Sequence, residues 1–356
     1  MESTQNNANM LSMFPHPVFQ VKDGIIVAAN QGAKALDIQE NTAVFSILKS
    51  GQDEYRDFTG GSLSLSVGAG PISIVAAVVR IEESDFFHLL SGKDAGDLQA
   101  LALASQHLRD PLSNVITLSE NLLSNQQDTA DEKKKFRIAQ LNQNLHRLLK
   151  AVGNMADANY CADRISGMET VNIPSVIEET VARAQQQLSG NSRKLTFATD
   201  GNAAIGLADE NLLERAVYNL LSNAYRYSPE DSTVNATLHC EKNRVRFVVE
   251  NICNNISVDI LSTIFFRYRR APSLMDGDKG LGLGIPIIQA VASAHKGSLL
   301  VTIPESGKIR FCLTIPIRRD TRGNLKSPIM RPDYAGGHDR SLIELSDILP
   351  SSAYEN

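Results

Sequence analysis

Hydrophobic and polar positions divide the chain into three blocks that differ in their period. In the first block, residues 11–92, short apolar runs alternate with turn signals. Lys22-Asp23-Gly24 separates the first two runs and is typical of a hairpin turn. This block is therefore expected to be a small α+β domain, and its apolar runs predict strands at 18–21, 25–29, 63–67 and 72–79.

The second block, residues 93–160, carries the period of α-helices. From Asp97 to Met155 apolar side chains recur at spacings of three and four, with a polar break at 124–131. An antiparallel hairpin of two long amphipathic helices cannot bury both apolar seams within one chain. Pairing two hairpins into a four-helix bundle buries them, so we expect a homodimer.

The third block, residues 165–318, mixes both periods and predicts an α/β layer with the helices on one face. Its helices are expected at 174–188, 210–227 and 286–295. Its strands are expected near 195–198, 233–239, 244–250, 298–303 and 308–315. The remaining 319–356 are rich in turn formers and are expected to be a flexible tail, apart from a short amphipathic stretch at 342–349. The whole chain is thus predicted to be an α+β multidomain protein.

Composition narrows the possible functions. Apolar residues make up 42% and charged residues 21%, which is typical of a soluble globular protein. A net charge of −5 disfavours general binding to nucleic acid or to a membrane surface. Neither a membrane span nor a signal peptide is recognisable, so a cytosolic location is expected. The four cysteines are scattered and indicate reduced thiols: Cys161, Cys240, Cys253 and Cys312.

A glycine-rich motif, Gly280-Leu281-Gly282-Leu283-Gly284, directly precedes an apolar helix with Pro286 in its first turn. Glycines let a backbone approach a phosphate closely, and a helix N-terminus offers unpaired N–H groups. The loop alone is equally compatible with a tight connection. A Rossmann fingerprint fits poorly, because no strand directly precedes the glycines.

A second motif lies on the helix predicted at 210–227. Asn219 and Asn223 are one helical turn apart, and Arg226 and Tyr227 continue the same side. Amide oxygens suit a nucleotide-bound Mg²⁺, and a guanidinium pairs with phosphate. Two surface asparagines are the alternative interpretation of the spacing alone. In combination with the glycine loop, a nucleotide site becomes the favoured interpretation.

Four segments together resemble the sensor histidine kinases of two-component systems. NLLSNAYRYSPE (219–230) is similar to the N box, IFFRYRRA (264–271) to the F box, GDKGLGLGIPIIQ (277–289) to the G2 box and ASQHLRDPLSNV (104–115) to the H box. The resemblance implies a dimeric four-helix bundle that carries two α/β-sandwich ATP-binding domains of the Bergerat type. Upstream, PVFQVKDGIIVAANQGAKAL (17–36) resembles the opening of a PAS sensor domain.

The resemblance also implies ligands and roles. ATP with Mg²⁺ is the implied ligand, and the receiver domain of a response regulator is the implied partner. Asn223 falls where the family holds Mg²⁺, Asn219 where it contacts phosphate, and Arg226 and Tyr227 where it lines the nucleotide. The phosphate loop is matched by Gly280, Leu281, Gly282, Leu283 and Gly284.

The adenine-binding G1 box departs from the family pattern. The family's Asp-x-Gly-x-Gly appears here as Asn251-Ile252-Cys253-Asn254-Asn255. The Asn251 carbonyl can still accept a hydrogen bond from the adenine amino group, although without a negative charge. ATP binding is therefore expected to be weakened by this change and to persist.

The H box departs from the family pattern at the phosphoacceptor. Gln106 occupies the acceptor position, and an amide nitrogen is not a nucleophile. His107 is the candidate acceptor, displaced by one residue, which is about 100° and 1.5 Å along a helix. Two hypotheses follow: a histidine kinase that phosphorylates His107 and then a regulator aspartate, or a catalytically silent relative that binds nucleotide as a signalling scaffold. A chaperone- or topoisomerase-type ATPase is disfavoured by the H-box hairpin.

Overall fold

One ten-stranded sheet runs through most of the molecule. The computed structural model describes residues 11–90, 112, 114–115, 117–118, 131–158, 168–253, 261, 264–265, 284–319 and 339–355. Along the sheet the strands lie in the order β2 (Ile25–Ala29), β1 (Val18–Lys22), β5 (Ser84–Leu89), β4 (Ile72–Ile81), β3 (Ser62–Ala69), β11 (Ser298–Thr302), β12 (Lys308–Pro316), β10 (Arg244–Ile252), β9 (Thr233–Cys240) and β7 (Lys194–Thr199). Every neighbouring pair is antiparallel except β7 with β9, which is parallel. The N-terminal and C-terminal domains therefore share a single sheet.

Within residues 11–90, the N-terminal domain contributes five strands and, between the second and the third of them, three short helices. Its strands are β1 (Val18–Lys22), β2 (Ile25–Ala29), β3 (Ser62–Ala69), β4 (Ile72–Ile81) and β5 (Ser84–Leu89). Between β2 and β3 lie α1 (Gln31–Ala35), α2 (Val44–Ile47) and α3 (Gln52–Arg56). The predicted hairpin turn is present, with Asp23 and Gly24 both at positive φ between the paired Lys22 and Ile25.

The core of this domain combines stacked aromatic rings with one buried charge network. Phe19 and Phe87 stack with their ring centroids 4.7 Å apart. The Tyr55 hydroxyl donates to Asp85 at 2.8 Å, and Arg80 donates to both oxygens of the same carboxylate. Since burial and the neighbouring Asp85 both disfavour the phenolate, they raise the pKa of Tyr55.

In the C-terminal domain, three long helices among the described residues pack against one face of its half of the sheet. The helices are α5 (Ile173–Leu188), α6 (Glu210–Tyr227) and α7 (Gly284–Ala294). The strands are β7 (Lys194–Thr199), β9 (Thr233–Cys240), β10 (Arg244–Ile252), β11 (Ser298–Thr302) and β12 (Lys308–Pro316). All of these elements were predicted to within a few residues. The sequence missed a separate two-stranded sheet, β6 (Glu169–Asn172) with β8 (Ile205–Ala208).

The two domains join through β3 and β11. Ser62, Leu63 and Ser64 pair antiparallel with Val301, Leu300 and Leu299. Side chains cross the same joint: Gln289 of α7 donates to Ser64 at 3.0 Å, Ser66 and Ser293 lie 2.9 Å apart, and Arg244 pairs with Glu54 at 2.9 Å. The domain division drawn from the sequence did not anticipate this continuous ladder.

Helix α4 (Asp131–Ala158) covers the second apolar run, for which the sequence predicted a helix. Of the first helix, residues 112, 114–115 and 117–118 are helical, and Gln106 and His107 lie outside the described residues. Within the described ranges, no helix has both the length and the apolar content to cross a membrane.

The C-terminal residues 339–355, here named the strap, pack against α4 and α6. They contain α8 (Arg340–Glu344) and a 3₁₀ helix (Ser351–Tyr354). Within the tail expected over 319–356, the sequence excepted 342–349 as amphipathic, and the two helices of the strap lie at or just beyond the ends of that stretch. Its apolar side chains are buried: Ile343, Leu345, Leu349 and Tyr354.

Gly61 makes the joint between the domains testable. Gly61 has a φ of +95°, and a Cβ there would overlap the carbonyl oxygen of Val301 on β11. We expect Gly61→Ala to separate β3 from β11, because the backbone oxygen cannot move without breaking the ladder. Amide hydrogen exchange of Leu299 and Val301 should accelerate.

Gly70→Ala is the matched control for this substitution. Gly70 immediately follows the other end of β3 and also has positive φ (+57°), but a Cβ there meets nothing within 4 Å. It should cost about 1 kcal/mol of backbone strain and leave exchange at β11 unchanged. Equal protection of β11 in both variants would contradict the assigned role of the joint.

Candidate functional site

Helix α6 forms the base of the candidate site. Its N-terminus is capped by Asp209, whose carboxylate accepts from the N–H groups of Asn211 and Leu212. Its apolar face is buried in the domain core, and this fixes the rotation of the helix. Asn219 is consequently buried and donates its amide to the Arg215 carbonyl at 2.8 Å, while Asn223, one turn later, is half-buried.

Gly284, the first residue of α7, lies directly against these two amides. A Cβ on Gly284 would stand 3.0 Å from Nδ2 of Asn223 and 3.3 Å from Oδ1 of Asn219. Any side chain at this position would push the amides away, so glycine allows the close approach. The structure thus brings together Asn219, Asn223 and the last glycine of the loop. Gly280, Leu281, Gly282 and Leu283 lie outside the described residues.

Asn251, near the end of β10, presents an unfilled acceptor. Its side chain is 2% exposed, and its Nδ2 donates to the Ile252 carbonyl at 2.9 Å. Its Oδ1 is buried and has no hydrogen-bond partner among the described residues. An unsatisfied buried carbonyl costs about 1–3 kcal/mol, so a ligand that donates to it gains a specific advantage.

Arg226 and Tyr227 occupy different surroundings. Tyr227 is 39% exposed at the end of α6. Arg226 instead pairs with the strap, because its Nη2 lies 3.0 Å from Oδ2 of Asp347. From the sequence, both residues were expected to lie beside the nucleotide. The pairing of Arg226 with Asp347, which is more than a hundred residues away in the chain, was not predicted.

His295 holds the two helices of the site together, and sequence reasoning missed it. It is fully buried just beyond the end of α7, where its Nδ1 donates to the Val291 carbonyl. Its Nε2 accepts from the backbone N–H of Asp209, the N-cap of α6, at 3.0 Å. This pattern requires the neutral imidazole, and burial lowers the pKa of His295.

Comparisons with known proteins agree with this geometry. The family described as histidine kinase-, DNA gyrase B- and HSP90-like ATPase (HATPase_c) matches residues 208–319, which include α6, β10 and α7. The sensor-like histidine kinase SenX3 of Mycolicibacterium smegmatis is 29% identical over 61% of this chain and 56% of its own. The sensor histidine kinase CusS of Escherichia coli K12 is 30% identical over 60% of this chain and 44% of its own.

The chain is a relative of the sensor histidine kinases and carries a GHKL-type ATPase domain. The resemblance of the N, F and G2 boxes, which lie within residues 208–319, is thereby confirmed. The chain spans about half the length of these two curated relatives. The solved catalytic domain of the histidine kinase ThkA is also similar, at 22% identity and a TM-score of 0.37, over 42% of this chain and 96% of that domain.

The residues of the site fit an adenine nucleotide, the ligand of the HATPase_c domain. The Oδ1 of Asn251, which has no partner within the part of the chain that the structure describes, can accept from an exocyclic amino group. At the other end, the Asn219 and Asn223 amides and the first turn of α7 offer neutral polar groups and a positive dipole end. Both features suit a ligand with an amino-substituted base and an anionic tail.

Burial of neutral His295 predicts a pH-dependent stability. Because its pKa is lowered in the fold from an ordinary value of 6.5, the unfolded chain binds the proton more readily. The free energy of unfolding should therefore fall as the pH drops below about 6.5. We expect urea unfolding to show that the free energy of unfolding differs less between pH 7.5 and pH 5.5 in His295→Gln than in the unmodified chain.

His239→Gln is the control, since His239 is exposed on β9. It removes an imidazole without removing the link between α6 and α7. If the free energy of unfolding depended on pH identically in all three proteins, His295 would not be the buried neutral imidazole that the prediction requires.

Proposed function

We propose that this chain is an ATP-dependent histidine kinase of a two-component system. It binds Mg²⁺ and ATP between α6, α7 and the end of β10, phosphorylates a histidine on its helical hairpin, and passes the phosphoryl group to the receiver domain of a response regulator. The observation that carries this proposal is the convergence of Asn219, Asn223 and Gly284 within a domain of the ATPase family.

Each residue of the site has a defined task in this mechanism. Asn251 accepts a hydrogen bond from the adenine amino group and so selects the base. Asn223 holds Mg²⁺ through its amide oxygen, and Asn219 orients the phosphates beside it. The first turn of α7 stabilises their negative charge through its N–H groups. ATP supplies the γ-phosphoryl group, and the protein contributes position and electrostatic stabilisation.

His107 is the proposed acceptor of that group. It is the imidazole nearest the family's acceptor position, where Gln106 offers no nucleophile. Pro111, four residues later, leaves the His107 carbonyl without its helical N–H donor, so the helix can deform and compensate for the shift of one residue.

The second candidate function is a nucleotide-binding scaffold without phosphotransfer. The neutral Asn251 and the displaced histidine favour it.

We also propose that the chain is a homodimer with a PAS-like N-terminal domain. Along α4, Ile138, Leu145 and Val152 are spaced seven residues apart and are 37–53% exposed. Such an apolar seam is typical of helices that pair with a second copy.

Support for a PAS-like domain comes from the five-strand order β2-β1-β5-β4-β3 with helices inserted after β2. The cytosolic location remains a prediction from the sequence.

Nucleotide binding should depend on Asn223. Asn223→Ala removes the amide that faces Gly284, and one lost ligand bond of this kind is worth about 1.5–3 kcal/mol. We expect the affinity for ATP with excess Mg²⁺ to fall roughly tenfold or more in isothermal titration calorimetry. Asn202→Ala removes an exposed loop amide and should leave the affinity unchanged. If the unmodified chain bound no adenine nucleotide at all, the proposed site would be wrong.

Phosphotransfer should depend on His107. Incubation with γ-labelled ATP and Mg²⁺ should give acid-labile label that is lost in His107→Ala, because an imidazole phosphoramidate hydrolyses in acid. His146→Ala is the control, since His146 lies on α4 and its ring contacts Tyr354 of the strap. Label that persists in His107→Ala would refute this acceptor. Unlabelled protein that still binds ATP would establish the scaffold function instead.

A further inference from the structure

The strap lies across the junction of α4 and α6. Gln143 of α4 donates to two strap carbonyls, those of Ser346 at 3.1 Å and Leu349 at 2.8 Å. Asn142 donates to the Tyr354 carbonyl at 3.2 Å. At its other end, Arg340 pairs with Glu214 of α6 at 2.9 Å. The strap is therefore attached to α6 before Asp347 in the chain and to α4 on both sides of it.

Asp347 lies between two cations from different helices. Its Oδ2 is 2.8 Å from Nζ of Lys150 on α4 and 3.0 Å from Nη2 of Arg226 on α6. Burial disfavours the carboxylate, but Lys150 and Arg226 outweigh it and hold the pKa of Asp347 far below its usual range. Asp347 is therefore a fixed negative charge at the end of the helix that carries Asn219 and Asn223.

Arg226 lies in a position where a bound phosphate would compete for it. It follows Asn223 by three residues, which places both side chains on neighbouring parts of the same helix face. A guanidinium pairs with carboxylate and phosphate through the same N–H fork. The side chains of Arg226 and Asp347 are 19% and 30% exposed, so another anion can reach the guanidinium without unfolding the domain.

We propose that Asp347 is a built-in competitor of the nucleotide for Arg226, which makes the strap an autoinhibitory segment of this chain. While the strap is in place, Asp347 neutralises the charge of Arg226. A nucleotide phosphate can then pair with Arg226 only by displacing the carboxylate. Lys150 also pairs with Asp347, so the carboxylate keeps one cationic partner when a phosphate takes its place beside Arg226. The competition is therefore reversible. This inference rests on the proposed function, because it requires that the site binds nucleotide.

The test is a double-mutant cycle in the full chain, with ATP and excess Mg²⁺ as the titrated ligand. Asp347→Asn keeps the size of the side chain and removes its charge. The affinity for ATP should rise roughly two- to fivefold, the range for one partly exposed ion pair. In an Arg226→Ala background the same substitution should change the affinity less than twofold, because there is no longer a guanidinium to release.

Asp339→Asn is the matched control on the strap. Asp339 caps α8 through Ser341, and asparagine caps a helix equally well, so the affinity for ATP should not change. A thermal unfolding measurement on each variant separates stability from affinity. A purely structural strap would show a lower melting temperature for Asp347→Asn with no gain in affinity.

The outcomes separate this inference from the proposed function. Absence of ATP binding in the unmodified chain and in Asp347→Asn would refute the proposed function itself. Binding to the unmodified chain with equal or weaker binding to Asp347→Asn would refute the autoinhibitory role alone. A gain in affinity that persists in the Arg226→Ala background would also refute it, because the competition would not pass through Arg226.

Discussion

The close approach of α6 and α7 at Gly284 is the constraint on which the site depends. Two amides from α6 face the first residue of α7, where even a Cβ would lie only 3.0–3.3 Å from them. The apolar face of α6 sets the rotation that presents these amides, and His295 fixes the opposite ends of the two helices. The same core that stabilises the domain therefore also sets the distance between the groups proposed to hold Mg²⁺ and phosphate.

Much of the C-terminal domain could be predicted because each element buries one face. The alternation of Val245, Phe247 and Val249 defines β10, and the 3.6-residue period defines α6 from Glu210 to Tyr227. The spacing of Asn219 and Asn223 likewise gave their common helix face. These features depend on residues close in sequence, and a single chain contains all the information that they need.

The remaining features depend on contacts between distant segments. β3 and β11 each follow an ordinary strand pattern, and nothing local shows that they pair with one another. The sequence showed the strap only as an amphipathic stretch at 342–349, and its polar attachments to Gln143, Lys150 and Arg226 could not be predicted, because these residue types are usually exposed to solvent. His295 has no motif, and its role follows only from the backbone N–H group that it meets.

The joint between β3 and β11 has a consequence for the dissection of this chain. A β-sheet edge with free N–H and C=O groups invites pairing with other chains, and natural proteins cover such edges. Here the N-terminal domain covers the β11 edge of the ATPase half. Excising that half would leave the N–H and C=O groups of β11 that pair with β3 without partners, so the isolated ATPase half would be prone to edge-to-edge aggregation.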